Sequence, residues 1–224
     1  MIILILIDFI SILNSLQAMG EKELKVILLG ESGVGKTSII LRYYKNIFNP
    51  NLPSTFGSTF INKSLIKDNI SYKLNIWDTT GQEKYHSVTK LFINGAHIVI
   101  LVYAINNVDS FKKLDYWYKT IKENCDENVT LGIVGSKYDL FNAEDENTVF
   151  VQDEEAEKYA KEKNALFKIV SAKADKKGIE SLFDELLNEY IKIPETKTPD
   201  NNEEKSIKIE PKKQVKKDGK GGCC

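Results

Sequence analysis

The chain has 224 residues, 42% of them hydrophobic and 28% charged, enough apolar material for one well-buried core. Its 31 basic and 32 acidic residues leave a net charge of −1, which excludes a bulk cationic field for nucleic acid. Three cysteines exclude a disulfide scaffold and point to a reducing compartment, and two histidines without a nearby cysteine cluster argue against a His/Cys metal site.

In chain order, Met1 to Leu13 is strongly apolar yet fits no targeting class. No Lys or Arg precedes Lys22, where a secretory signal carries a cationic leader, and Asp8 breaks the run well short of the ~20 residues of a membrane span. Residues 1–18 are read as in-frame sequence upstream of a working start at Met19, with an added hydrophobic anchor as the alternative. A start at Met19 creates no myristoylation site, because Leu24 stands where Ser or Thr is required.

Leu24 to Leu29 is a short apolar run closed by Gly30, the pattern of a buried strand, and a helix-like stretch follows from Lys36 to about Lys45. Ser58–Lys67 and Ser71–Trp77 alternate polar and apolar residues around Lys67-Asp68-Asn69-Ile70, a hairpin signature. His97–Tyr103 and Val129–Val134 read as strands with a helix from Asp109 to Cys125 between them. Gln152–Lys163, Phe167–Val170 and Ile179–Ile193 continue as helix, strand and helix. Such alternation with near-continuous apolar strands predicts an α/β fold, a mostly parallel sheet covered by helices on both faces. Ligands then bind at the carboxyl ends of the strands.

Pro194 to Cys224 lacks apolar periodicity and aromatic residues, and reads as a disordered tether. Between Lys205 and Lys220, seven lysines face only Glu210 and Asp218, so a mildly acidic body precedes a basic tail. The tail ends Gly221-Gly222-Cys223-Cys224, a pair of thiols suited to lipidation, although Gly221 excludes the Cys-a-a-X form.

The chemistry concentrates after the first strand. Gly30-Glu-Ser-Gly33-Val-Gly35-Lys36-Thr37 matches G-x-x-x-x-G-K-[ST] between a strand and a helix. Glycines let consecutive backbone N–H groups turn toward phosphate oxygens, and the helix directs its positive end at the anion. Lys36 reaches terminal phosphates and the Thr37 hydroxyl ligates Mg²⁺ in this pattern. The motif alone specifies a nucleoside triphosphate and leaves ATPase, kinase and GTPase open. At a strand end, Asp78 is a candidate Mg²⁺ residue, usually through water. Gly81 offers an N–H to a γ-phosphate, and Gln82 orients an attacking water. Thr55, in the loop following Asn49–Pro53, is a candidate for a hydroxyl that reaches Mg²⁺ only when the γ-phosphate is present.

Together with Phe56–Phe60, Lys73–Trp77, Lys84–Thr89 and Leu101–Asn106, these motifs resemble the Ras-superfamily small GTPases and, within them, the Rab branch. The similarity runs from about Lys22 to Ile193 and includes the terminal cysteines. It implies the P-loop small-GTPase fold over residues 19–193, with a sheet of five parallel strands and one antiparallel strand, and slow GTP hydrolysis that reverts an effector-binding state in vesicle traffic. The nucleotide-binding set it implies is Gly30, Ser32, Gly33, Val34, Gly35, Lys36, Thr37, Ser38, Phe48, Thr55, Gly81, Ser136, Lys137, Asp139, Ser171, Ala172 and Lys173, with Mg²⁺ at Thr37, Thr55 and Asp78. Gln82 and Lys36 serve catalysis; Phe56, Trp77 and Tyr85 form an effector patch; Cys223 and Cys224 carry two prenyl chains. Phe48 stacks on guanine, Asp139 accepts from the ring N–H and amino group, and the Ala172 N–H faces the keto oxygen.

Three residues depart from the family pattern. Ser136 replaces the Asn of Asn-Lys-x-Asp, which predicts weakened binding through a lost contact to the base edge and to the cradle, a hydrogen bond being worth about 0.5–1.5 kcal/mol. Thr80 stands for Ala beside Gln82, and Ala104 for Asp. No Arg in the loops is a finger in cis, so an activating protein is expected to supply that charge. The other implied partners are an exchange factor, effectors, prenylation escort and dissociation-inhibitor proteins and the membrane surface, around a monomeric domain with a cytosolic pool. Ser136 and Thr80 also allow a hydrolysis-poor nucleotide-binding scaffold, and an ATPase or kinase is the further alternative.

Overall fold

A computed structural model describes residues 21–55, 58–79, 92–141 and 148–194. Strand β1 (Lys22–Leu29) leads through a tight loop into α1 (Lys36–Lys45). β2 (Ser58–Lys67) and β3 (Ile70–Thr79) form a hairpin, and β4 (Ile98–Ala104) is followed by α2 (Val108–Lys112) and α3 (Leu114–Asn124). Next come β5 (Thr130–Ser136), a 3₁₀ turn (Tyr138–Leu140), α4 (Asp153–Glu162), β6 (Leu166–Ile169) and α5 (Lys176–Lys192). The strands order as β2-β3-β1-β4-β5-β6, all parallel except β2, which runs antiparallel to β3. That is the expected six-stranded, mostly parallel sheet.

The two-residue period of a strand divides the core into two layers. Leu24, Val26 and Leu28 of β1 and Ile98, Ile100 and Val102 of β4 pack with Ile39, Ile40 and Tyr43 of α1 and with Ile179, Leu182, Phe183, Leu186 and Leu187 of α5. Ile27, Leu29, Val99, Leu101 and Tyr103 face the opposite way, against Phe111, Leu114, Trp117, Ile121, Ala156 and Ala160. At the hairpin tip Asp68 (φ 49°) and Asn69 (φ 62°) both adopt left-handed backbone, as a two-residue hairpin turn requires.

Two helices differ from their sequence expectations. The stretch from Asp109 to Cys125 divides at Lys113, whose ψ of −10° interrupts regular helix. Asn107 caps the first piece by accepting from the Ser110 N–H at 3.0 Å. α5 begins at Lys176, before the apolar pattern opens at Ile179, because the Asp175 carboxylate accepts from the Gly178 N–H at 2.7 Å. Polar caps, not apolar spacing, set both starts.

His97 joins β1 to β4 through both of its ends. Its N–H donates to the Lys25 carbonyl at 2.9 Å, and its Nδ1 accepts from the Lys25 N–H at 2.9 Å. Accepting at Nδ1 requires a neutral ring with its proton on Nε2. Burial lowers the His97 pKa, partly opposed by Asp126 and reinforced by Lys25, while Tyr190 presents a ring edge at 5.8 Å. Because the folded pKa lies below the unfolded one, the stabilisation is fully present above about pH 6.5 and is lost as pH falls below that value. Urea unfolding of the GDP-saturated protein at pH 7.5 and 5.5 is expected to show a drop of up to about 1.4 kcal/mol per pH unit below 6.5, and His97→Gln to remove that part of it. An equal acid loss in both proteins contradicts this role.

Candidate functional site

The carboxyl end of β1 opens into the cradle. Gly30 has φ 141°, and a Cβ there would lie 2.1 Å from the Val102 carbonyl oxygen of β4. Gly33 (φ 75°) and Gly35 (φ 94°) turn the chain into α1, with Gly35 at the helix N-cap. Glu31 is tied to the far layer by the Trp117 indole N–H, 3.2 Å from its Oε1. Lys36 is buried, and its Nζ donates to the carbonyls of Gly30 (2.7 Å) and Glu31 (2.8 Å). Desolvation pulls its pKa down to about 8, against the attraction of Asp78 and Glu31. An ammonium held at this cost at the start of α1 is poised for an anion.

Three segments meet beside it. The Thr37 hydroxyl donates to Asp78 Oδ2 at 2.7 Å and lies 2.7 Å from the Thr55 hydroxyl, which therefore donates to Thr37. Asp78 is 3% exposed, and its Oδ1 has no hydrogen-bond partner among the described residues. Burial raises its pKa, opposed by the Thr37 hydrogen bond and by Lys36. Two hydroxyls and a carboxylate with an orphaned oxygen are a hard-oxygen donor set, and they fit Mg²⁺. Thr79 locks this strand end by donating to the Leu28 carbonyl at 2.7 Å.

A cavity of about 470 Å³, within the range of small-molecule sites, extends from the cradle. Ser32, Gly33, Gly35, Lys36, Thr37, Ser38, Phe48, Thr55, Ser136, Lys137, Asp139, Ala172 and Lys173 all line it. Gly30, Val34 and Ser171 stand behind the wall. The Gly30 carbonyl holds Lys36, the Val34 carbonyl accepts from Ser136 Oγ at 2.5 Å, and Ser171 Oγ donates to Asp139 Oδ1 at 2.6 Å. The link from position 136 to the cradle is therefore present despite the shorter side chain. Ser136 Oγ also lies 2.9 Å from the Tyr103 carbonyl, so its single proton is fully used on backbone. Lys137 takes left-handed backbone (φ 64°), and burial lowers its pKa against the pull of Asp139. At Ala104, the N–H donates to Ser110 Oγ at 3.0 Å.

Trp77 is half-buried, 5.1 Å from the Phe60 ring and 5.3 Å from the Phe92 ring, with the Lys25 ammonium 5.7 Å from its centroid. Phe60 is 46% exposed. Phe56, Thr80, Gly81, Gln82, Tyr85, Cys223 and Cys224 lie outside the described residues. The sequence reading missed the wall formed by Asn49, Pro50, Leu52, Pro53, Ser54 and Leu140, for which the Pro- and Asn-containing loop was the available signal. It also missed Arg42, whose bonds to the Ala172 and Lys173 carbonyls reach 130 and 131 residues along the chain and leave no local signal.

Comparison with known proteins completes the assignment. Residues 25–192 match the family model described as Ras family. The chain belongs to that family. It is 34% identical to Ras-related protein RABA1c of Arabidopsis thaliana over 206 residues, spanning 89% of this chain and 93% of the relative. It is 36% identical to GTP-binding protein ypt3 of Schizosaccharomyces pombe over 169 residues, 75% of this chain and 76% of the relative. Ras-related protein Rab-31 of Homo sapiens is 36% identical over 192 residues, 86% of this chain and 94% of the relative. This Ras-family chain is a Rab-like small GTPase, which binds GTP and GDP, hydrolyses GTP, and works with regulators and effectors in vesicle traffic at intracellular membranes. Among the described residues, no helix is long and apolar enough to cross a membrane.

Proposed function

We propose that the cavity holds the guanine nucleotide of a membrane-attached timer. The phosphates lie in the Gly30–Thr37 cradle, with Lys36 on the terminal groups. The hydroxyls of Thr37 and Thr55 and the Asp78 carboxylate hold Mg²⁺, which when bound neutralises charge developing on the phosphates. Phe48 and the Lys137 stem flank the base, Asp139 accepts from its ring N–H and amino group, and the Ala172 N–H donates to its keto oxygen. Gln82 orients the attacking water and Gly81 donates to the γ-phosphate. The observation that carries this reading is the meeting of Thr37, Thr55 and Asp78 at 2.7 Å, which makes the loop bearing Thr55 sensitive to what fills the site.

An activating protein supplies an arginine in trans, an exchange factor empties the site, and effectors read the surface of Phe56, Trp77 and Tyr85. Residues 19–193 form the working domain, preceded by an upstream segment, residues 1–18. Residues 194–224 tether the domain to the cytoplasmic face of the membrane through prenylated Cys223 and Cys224, and the tail lysines add attraction to anionic lipid. Escort and dissociation-inhibitor proteins handle the prenyl groups and maintain a cytosolic pool.

Single-turnover hydrolysis beside a nucleotide off-rate tests the reading. Slow loss of the γ-phosphate is expected, accelerated by about 10³–10⁵ when an activating protein is added. Hydrolysis that stays at the uncatalysed level with the activator present overturns the timer. ATP displacing GDP at equal concentration overturns the base assignment.

A further inference from the structure

We propose that Arg42 is a positioning residue for the base-reading loop, its guanidinium holding the carbonyls of Ala172 and Lys173 against the first helix. The inference rests on the reading of the cavity as a guanine-nucleotide site. Arg42 Nε donates to the Ala172 carbonyl at 2.6 Å, and Nη2 to the Lys173 carbonyl at 3.0 Å. Two consecutive carbonyls thus share one edge of a planar fork, a match that a lysine ammonium cannot copy. The preceding carbonyl, of Ser171, accepts from the Asp175 N–H at 2.8 Å. Because each carbonyl shares a peptide plane with the next residue's N–H, the two Arg42 bonds fix the N–H directions of Lys173 and Ala174, and the Asp175 bond fixes that of Ala172. Ala172, whose N–H is assigned to the keto oxygen of the base, is thus held on both sides, one flanking peptide by Asp175 and the other by Arg42. Loss of Arg42 frees the second.

The remaining edge of the guanidinium reaches the other flank of the cavity. Nη1 lies 3.2 Å from the Asn46 carbonyl and 3.1 Å from its side-chain Oδ1. Asn46, in left-handed backbone (φ 56°), ends α1 and passes the chain to Phe48, which lines the cavity. One side chain therefore spans the two segments between which the base would sit. Arg42 touches no reacting group and acts through the backbone it holds.

The test compares dissociation of GDP and of 6-thio-GDP, which keeps the ring N–H and amino group but offers sulfur, a poorer acceptor, in place of the keto oxygen. Wild type is expected to release 6-thio-GDP faster than GDP. Arg42→Ala is expected to release GDP about tenfold faster, with the ratio between the two nucleotides falling toward one. Arg42→Lys falls between, and hydrolysis of GTP already bound stays within about twofold of wild type. GDP release unchanged in Arg42→Ala overturns the proposal. Equal acceleration of both nucleotides with the ratio intact also overturns it, because general loosening would act on both alike. If Arg42→Ala does not fold, the same ratio measured in Arg42→Lys separates the two outcomes. Wild type that fails to prefer GDP to ADP removes the underlying site reading, a separate failure visible without any variant.

Discussion

Replacing Lys36 with methionine is expected to weaken GDP binding by about 100- to 1,000-fold, read by competition against a fluorescent guanine nucleotide. Lys36 is 5% exposed and its ammonium donates to two carbonyls of its own loop, so it stands in the cradle proposed to receive the phosphates. Hydrogen bonds to charged groups are worth about 1.5–3 kcal/mol each, and two of them at the lower end, about 3–4 kcal/mol together, correspond to that range. The pH dependence carries a sign of its own. In the empty site Lys36 titrates at about 8, and binding an anion favours its charged form. Affinity should hold steady up to about pH 7.5 and then fall by up to tenfold per pH unit above about 8. Lys36→Met should lose that slope together with the affinity. A variant that binds GDP within threefold of wild type, or keeps the alkaline slope, shows that Lys36 does not carry the phosphates.

Gly30→Ala should destabilise the fold by about 3–5 kcal/mol, measured as a shift of the urea midpoint. A methyl group there would meet the Val102 carbonyl oxygen at 2.1 Å, and φ 141° suits no L side chain. Backbone must move, because the obstructing atom belongs to the next strand of the sheet. Gly33→Ala is the matched control: its φ is 75°, but nothing lies within 4 Å of the added carbon. Its cost should be about 1–2 kcal/mol, the ordinary penalty of left-handed backbone. Equal costs at the two positions would show that conformation alone, not close approach of β4, selects glycine at Gly30. Since the Gly30 carbonyl also holds Lys36, the variant should lose nucleotide affinity with its stability.

Much of the cradle was legible because its parts are neighbours in the chain. Gly30 to Thr37 is one turn followed by one helix, and local backbone freedom already specifies its shape. The hairpin at Asp68-Asn69 was legible for the same reason, since two left-handed residues suffice. Asp139 and Lys137 were found as a short motif, whereas the hydrogen bond that orients Asp139 comes from Ser171, 32 residues on. At Ser136 local reasoning misled. The short side chain implied a lost contact to the cradle, but packing brings Val34, 102 residues earlier in the chain, within 2.5 Å of its hydroxyl.

From its residues alone this chain specified the apolar periods of its strands and helices and a glycine-rich loop of the phosphate-binding pattern, and its resemblance to a family pointed to Asp139 as the carboxylate proposed to read a base. Those properties depend on neighbours within a few positions, where sterics and hydrogen-bond reach leave few alternatives. Sheet order, the meeting of Thr37 with Asp78 across 41 residues, and the Arg42 fork across 130 were decided only by the tertiary structure. Contacts at such separations arise when β1, β3, β4 and β5 pack side by side and bring their carboxyl ends to one edge of the sheet.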